Sequence, residues 1–181
     1  ANKPKTLFIS IAAGVRATDI NRWLGGDLAV VRCMPNTPAL VGLGASALFA
    51  NDAVSDLQKQ QAEQIMQSTG VTVWVNTESQ LDAVTAISGS GPAYFFLFIE
   101  ALQNAALVLG LNPQTAALLA RQTALGAATM ALGQDVARLR QQVTSKGGTT
   151  EQAIASFESA NLSGIVLEAT RAAEKRSQEL A

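Results

Sequence analysis

A chain of 181 residues with 48 % apolar and only 15 % charged residues can form one large or two small domains, but has too little charge to coat a monomer. A subunit interface is therefore expected, and a net charge of −1 argues against a nucleic-acid partner. Having no histidine and one cysteine excludes a Ser-His-Asp triad, a Cys-His pair, a His-ligated zinc site and an internal disulfide, so no metal is expected.

Residues 1–76 read as alternating strands and helices, the pattern of a mostly parallel α/β sheet. The apolar run at residues 6–11 has the mark of a strand buried on both faces. It ends in Ala12-Ala13-Gly14, small residues that leave room for a ligand. A short helix at 17–24 closes on Gly25-Gly26, and a second strand at 28–32 runs into a loop stiffened by Pro35 and Pro38. Strands at 45–50 and 71–75 flank a polar, Gln-rich helix at 55–68. In such a sheet ligands collect at the carboxyl ends of the strands, here the 12–14 and 34–38 loops. No Gly-x-Gly-x-x-Gly turn follows an opening strand, so the sheet is expected to be the second half of a doubly wound domain.

The period becomes helical from Leu81, with a domain boundary near residues 76–80. The stretch Ser88-Gly89-Ser90-Gly91-Pro92 reads as a loop with proline at the first helical position. The helix that follows stops at Gly110. Glu100, Gln103 and Asn104 interrupt it, so it is not expected to span a membrane. Asn112-Pro113 opens a second helix to Leu132, whose alanines and Gly126 bare its surface for close approach of another backbone. A short amphipathic helix at 135–142 leads to Ser145-Lys146-Gly147-Gly148-Thr149-Thr150, and two further helices close residues 77–181.

A glycine turn feeding a helix presents free N–H groups and the positive end of a dipole to a small anion. The plainer reading of Gly147-Gly148-Thr149-Thr150 is a surface helix capped by Thr149 or Thr150. Similarly, Glu100 reads as a structural partner on an apolar face, Cys33 as a small core residue, and Trp23 and Trp74 as packing residues.

Three stretches taken together, Ser10-Ile11-Ala12-Ala13-Gly14-Val15, Arg32-Cys33-Met34-Pro35-Asn36-Thr37-Pro38-Ala39 and Ser88-Gly89-Ser90-Gly91-Pro92-Ala93-Tyr94, resemble pyrroline-5-carboxylate reductase, and residues 143–150 resemble that family's substrate loop. The resemblance implies reduction of 1-pyrroline-5-carboxylate to L-proline with NADPH or NADH, the last step of proline biosynthesis. It implies a Rossmann-like domain, here partial at 1–76, and a helical domain at 77–181 through which two subunits interlace as a homodimer or larger assembly. It assigns the substrate carboxylate to Ser145, Gly147, Gly148, Thr149 and Thr150, with Thr150 placed to bond the ring nitrogen as the catalytic residue. Ala12, Ala13, Gly14 and Asn36 become the wall beside the cofactor. Lys146 stands where many members have proline, and Gln142 where many have asparagine. Because the family's Gly-rich phosphate turn is missing, the chain is expected to be a truncated form; the single cysteine, Cys33, fits a reducing compartment, so a cytoplasmic location is expected. The alternatives are a non-catalytic helical dimerisation fragment and another imine or keto-acid reductase of the same two-domain plan. The helix after Pro92 lacks the lysine that hydroxy-acid dehydrogenases of that plan carry.

Overall fold

The computed structural model describes residues 6–180; residues 1–5 of the expected sheet domain and Ala181 of the expected helical domain lie outside the described residues. Contacts divide the chain into two compact units, Ala1–Pro92 with Glu168–Ala181, and Ala93–Leu167.

The first unit is built on a four-stranded sheet in the order β1 (Leu7–Ser10), β2 (Ala29–Met34), β3 (Gly44–Ala50), β4 (Gly70–Trp74). The outer pairings are parallel, Leu7 lying opposite Ala29 and Gly44 opposite Gly70. The central pairing, β2 with β3, is antiparallel, with Met34 opposite Ala47. Connection length explains the mixture. Helices α1 (Ala17–Trp23) and α2 (Asp56–Gln67) provide the crossovers of the parallel pairs. Residues 35–43 hold only a 3-10 turn, Thr37–Val41, which is shorter than the dozen or more residues a parallel crossover takes.

The strand buried on both faces is β2, where Ala29, Val30 and Val31 are fully covered, and not β1, which is an edge strand and only half-buried. Ala29, Val31 and Cys33 alternate along one face of β2 and share a core with Leu48 and Ala62. Burying each larger aliphatic side chain contributes about 1.5–3 kcal/mol. Helix α2 starts in a capping box: Ser55 Oγ accepts from Gln58 N at 3.4 Å, and Gln58 Oε1 accepts from Ser55 N at 3.0 Å. Trp74 packs against this core and donates to Glu63 at 3.3 Å, whereas Trp23, expected to pack, is 65 % exposed at the end of the short α1.

The expected loop at 88–92 is instead helical. Helix α3 (Gln80–Val84) runs through a π-helical turn, Thr85–Gly89, into α4 (Gly91–Val108). Ser90 N donates to Thr85 O at 2.8 Å, closing the wider ring of that turn. Pro92 has no N–H for the carbonyl of Ser88, and the side chain of Asn36 donates to that carbonyl instead, at 3.1 Å. The end of α8 (Leu162–Leu180) belongs to this unit, where Ser177 Oγ donates to Asp82 at 2.7 Å.

The second unit holds the rest of α4 and α8 together with α5 (Pro113–Ala131), α6 (Val136–Gln142) and α7 (Thr149–Ser159). Asn112 caps α5 by accepting from Thr115 N at 2.9 Å, with Pro113 at the first helical position as the sequence suggests. Asp135 caps α6 through Ala137 N at 2.8 Å. Ala116 and Ala120 are buried, but Phe95, Phe96, Leu118 and Leu125 are each more than half exposed. Glu100, expected to meet a structural partner on this face, is exposed as well. By length and composition the run Gln80–Val108 could cross a membrane, and only 6 % of its most apolar window is buried within the chain. Apolar surface on this scale marks an interaction face.

Candidate active site: a glycine turn at the start of a helix

The turn is held by its own backbone. Gly148 N donates to Ser145 O at 3.0 Å, and Gly147 sits at φ +73°, a left-handed conformation that favours glycine. Thr144 Oγ1 ties the entry to α6 by donating to Arg140 O at 2.6 Å. The N-cap of α7 is Gly148, which has no side chain to cap with, and not Thr149 or Thr150. Those threonines are the first two helical residues, and their amides, with that of Glu151, have no acceptor among the described residues. Ser145 Oγ lies beside Gly148, 2.6 Å from where a Cβ there would sit. Ser145, Gly147 and Thr149 are exposed, and Thr150 is half-buried. The structure thus brings Ser145, Gly147, Gly148, Thr149 and Thr150 together around one uncapped helix start.

The other expected residues lie in the first unit. Ala12 and Ala13 are exposed after the carboxyl end of β1, and Ala12 N turns back to Ser10 Oγ at 3.3 Å. Gly14 has φ +73°, and a Cβ there would meet the carbonyl oxygen of Leu180 at 2.7 Å. The close approach of α8 therefore demands glycine at this position. Asn36 lies after β2, accepting from Ala45 N at 2.9 Å while donating to Ser88 O. Both ends of its amide thus fasten the loop to β3 and the π-helical turn. Nearby, an open apolar groove of about 340 Å³ lined by Ala45, Ala47, Val71, Val73, Val84 and Ile87 contains none of the expected residues.

The family model for pyrroline-5-carboxylate reductase dimerisation matches residues 78–180. A pyrroline-5-carboxylate reductase of Pseudomonas aeruginosa is 52 % identical over 183 residues, covering all of this chain and 67 % of its own length. The chain belongs to the pyrroline-5-carboxylate reductase family. It is also 40 % identical to the pea enzyme over 176 residues, 96 % of this chain and 64 % of that one. Among solved structures, the reductase of Coxiella burnetii superposes with a TM-score of 0.95 at 52 % identity, covering 99 % of this chain and 67 % of that one. The Plasmodium falciparum reductase, solved with NADP bound, gives a TM-score of 0.87 at 34 % identity over 96 % of this chain and 71 % of its own. The chain spans about two thirds of the length of these reductases.

Within this family frame, two carboxylates stand out that the sequence did not single out. Glu151, in the first turn of α7, reaches back to accept from Gly147 N at 2.8 Å. Its signal was present as a glutamate three residues after the N-cap. Glu78 Oε1 accepts from Ala17 N at 2.6 Å and from Arg32 Nη1 at 3.0 Å, joining the start of α1 to the end of β2. Nothing in the spacing of Arg32 and Glu78 announced their pairing. Their side chains are only 11 % and 23 % exposed, so removing one strands the other. Glu78→Gln should destabilise the protein by about 3 kcal/mol, read as a lowered midpoint in chemical denaturation.

Cys33 is a buried core thiol whose pKa burial pushes up to about 11, the neighbouring Ser46 hydroxyl drawing it partly back. It stays protonated at neutral pH, in keeping with a packing role. Ser46 Oγ has no partner in hydrogen-bond geometry among the described residues, so its contact with the thiol is a weak one. Among the described residues no three His, Cys, Asp or Glu side chains cluster in a way that could hold a metal.

Proposed function

We propose that this chain provides the substrate loop and part of the cofactor wall of an enzyme reducing 1-pyrroline-5-carboxylate to L-proline in the cytoplasm. The observation that carries the reading is the uncapped start of α7, where the amides of Thr149, Thr150 and Glu151 and the hydroxyl of Ser145 surround a glycine turn. Such a start attracts a carboxylate through its unpaired N–H groups and the helix dipole. Fixing the carboxylate at one end of a five-membered ring orients the imine at the other. A reduced nicotinamide, NADPH or NADH, would when bound supply hydride to C5 of the protonated imine, whose nitrogen already carries the proton the amine keeps. The hydroxyl of Thr150, which has no partner among the described residues, is assigned to the ring nitrogen, where it orients the imine and steadies the N–H of the amine.

Exposed Ala12 and Ala13, with Gly14, offer backbone without bulk, which fits one wall of a flat cofactor. Asn36 serves that wall by fixing its loop. No described strand leads through a Gly-x-Gly-x-x-Gly turn into a helix, so the residues present fit the wall beside the nicotinamide and not a complete phosphate site. We assign residues 1–76 to the cofactor side and 77–181 to substrate binding and dimerisation. Calorimetry with NADPH should show weak binding or none to the 181-residue chain and ready binding to a chain of the relatives' full length. Micromolar affinity for the 181-residue chain would contradict this division of the site.

The match to the family's dimerisation region, together with the exposed apolar helices, supports a homodimer. Light scattering at micromolar concentration should give at least twice the mass of one chain. Ala127 is exposed on α5, so Ala127→Leu leaves the packing of the single chain untouched. It should weaken the assembly by about 1–3 kcal/mol through overpacking between chains. A full-length protein that dimerises without turnover would favour a non-catalytic dimerisation role.

A further inference from the structure

We propose that Glu151 is a positioning residue for the substrate carboxylate, holding Gly147 so that the first amides of α7 stand free; this rests on the reading of the turn given above. The helix start lacks the usual side-chain cap, because its N-cap is Gly148. In an ordinary capping box the glutamate at the third helical position accepts from the N-cap amide. Here that amide is already committed to Ser145 O at 3.0 Å. Glu151 therefore accepts from the preceding residue, Gly147 N, at 2.8 Å.

Two consequences follow. The amides of Gly147 and Gly148 are both used inside the turn, leaving those of Thr149, Thr150 and Glu151 for an anion. Gly147 therefore serves by its left-handed backbone and not as a donor to substrate. Second, the charge of Glu151 opposes an incoming carboxylate, so any benefit it brings to binding must come from geometry. Charge and geometry are separable by substitution. Glu151→Gln keeps a carbonyl acceptor for Gly147 N and removes the charge; Glu151→Ala removes both.

The test uses the full-length protein and two readouts. In steady-state kinetics, Glu151→Ala should raise KM for 1-pyrroline-5-carboxylate about tenfold or more, with KM for NADPH and the melting temperature nearly unchanged. Glu151→Gln should stay within about threefold of the parent, a rescue by the acceptor alone. Separately, hydrogen exchange followed by NMR should show the Gly147 amide protected in the parent and in Glu151→Gln, and exchanging about tenfold faster in Glu151→Ala. An unchanged or lowered KM in Glu151→Ala overturns the proposal, since Glu151 would then be only a helix cap or a competitor for the anion site. Unchanged Gly147 exchange in Glu151→Ala also overturns it. If the parent does not reduce 1-pyrroline-5-carboxylate, the functional reading fails, while the exchange measurement still decides whether Glu151 holds the turn.

Discussion

Gly148→Val in the full-length enzyme should raise KM for 1-pyrroline-5-carboxylate by about 100-fold or more while leaving the fold intact. The backbone at Gly148 is extended, with φ −86° and ψ 170°, a conformation valine adopts readily. The effect is therefore one of space. A Cβ at this position would lie 2.6 Å from Ser145 Oγ and 3.0 Å from the carbonyl oxygen of Ser145. The serine hydroxyl would be displaced, and the valine methyl groups would fill the concavity that the carboxylate is assigned to enter. Gly147 differs, because at φ +73° any side chain strains the turn itself. Gly147→Val should thus lower stability as well as binding. Steady-state kinetics and a thermal melt on the two variants separate the effects. A KM for Gly148→Val within threefold of the parent would place the carboxylate elsewhere.

Thr150→Ala should lower kcat about 10–100-fold, less than the upper range of 10²–10⁴ typical of a lost general acid. Thr150 is the second residue of α7, and replacing it with alanine leaves the backbone amides in place. Substrate affinity should therefore fall only modestly. Thr150→Ser keeps the hydroxyl, drops a methyl group, and should retain most of the rate. Equal losses in kcat and kcat/KM would mean that the hydroxyl contact is made chiefly in the transition state. If both constants of Thr150→Ala stay within twofold of the parent, the threonine is only an early helical residue and its catalytic assignment fails.

The strands and long helices were legible because their patterns are local. The apolar runs of the sheet, the Asn112-Pro113 opening of α5 and the glycine stops needed nothing beyond their neighbours in sequence. Strand direction was harder to read. The antiparallel pairing of β2 with β3 follows from the short connection at 35–43, which the proline-rich composition marked as a loop without giving its polarity. The π-helical turn at Thr85–Gly89 was hidden because the Ser88-Gly89-Ser90-Gly91 run that ends it looks like a loop. What stabilises it is remote in sequence: Asn36 supplies the donor that Pro92 lacks.

At the candidate site, the composition of the loop pointed to the residues that surround the turn but not to the bonds within it. Threonine is a common cap, so Thr149 and Thr150 competed for a place that Gly148 takes. Glu151 was not singled out by the sequence, because its bond to Gly147 depends on an N-cap amide already turned toward Ser145. The long-range ties, Arg32 to Glu78 and Asp82 to Ser177, join residues whose spacing has no periodic signature. The return of the last helix to the sheet unit was unreadable for the same reason.

The most direct test of the central claim is the fate of a labelled hydride. Full-length protein supplied with 1-pyrroline-5-carboxylate and NADPH deuterated at the transferring C4 position should yield L-proline carrying deuterium at C5, seen by NMR. In the Thr150→Ala variant the same labelled product should form more slowly. Failure to form L-proline, or proline with no deuterium at C5, would contradict direct hydride transfer to the imine and with it the assignment of the glycine turn as a reductase substrate loop.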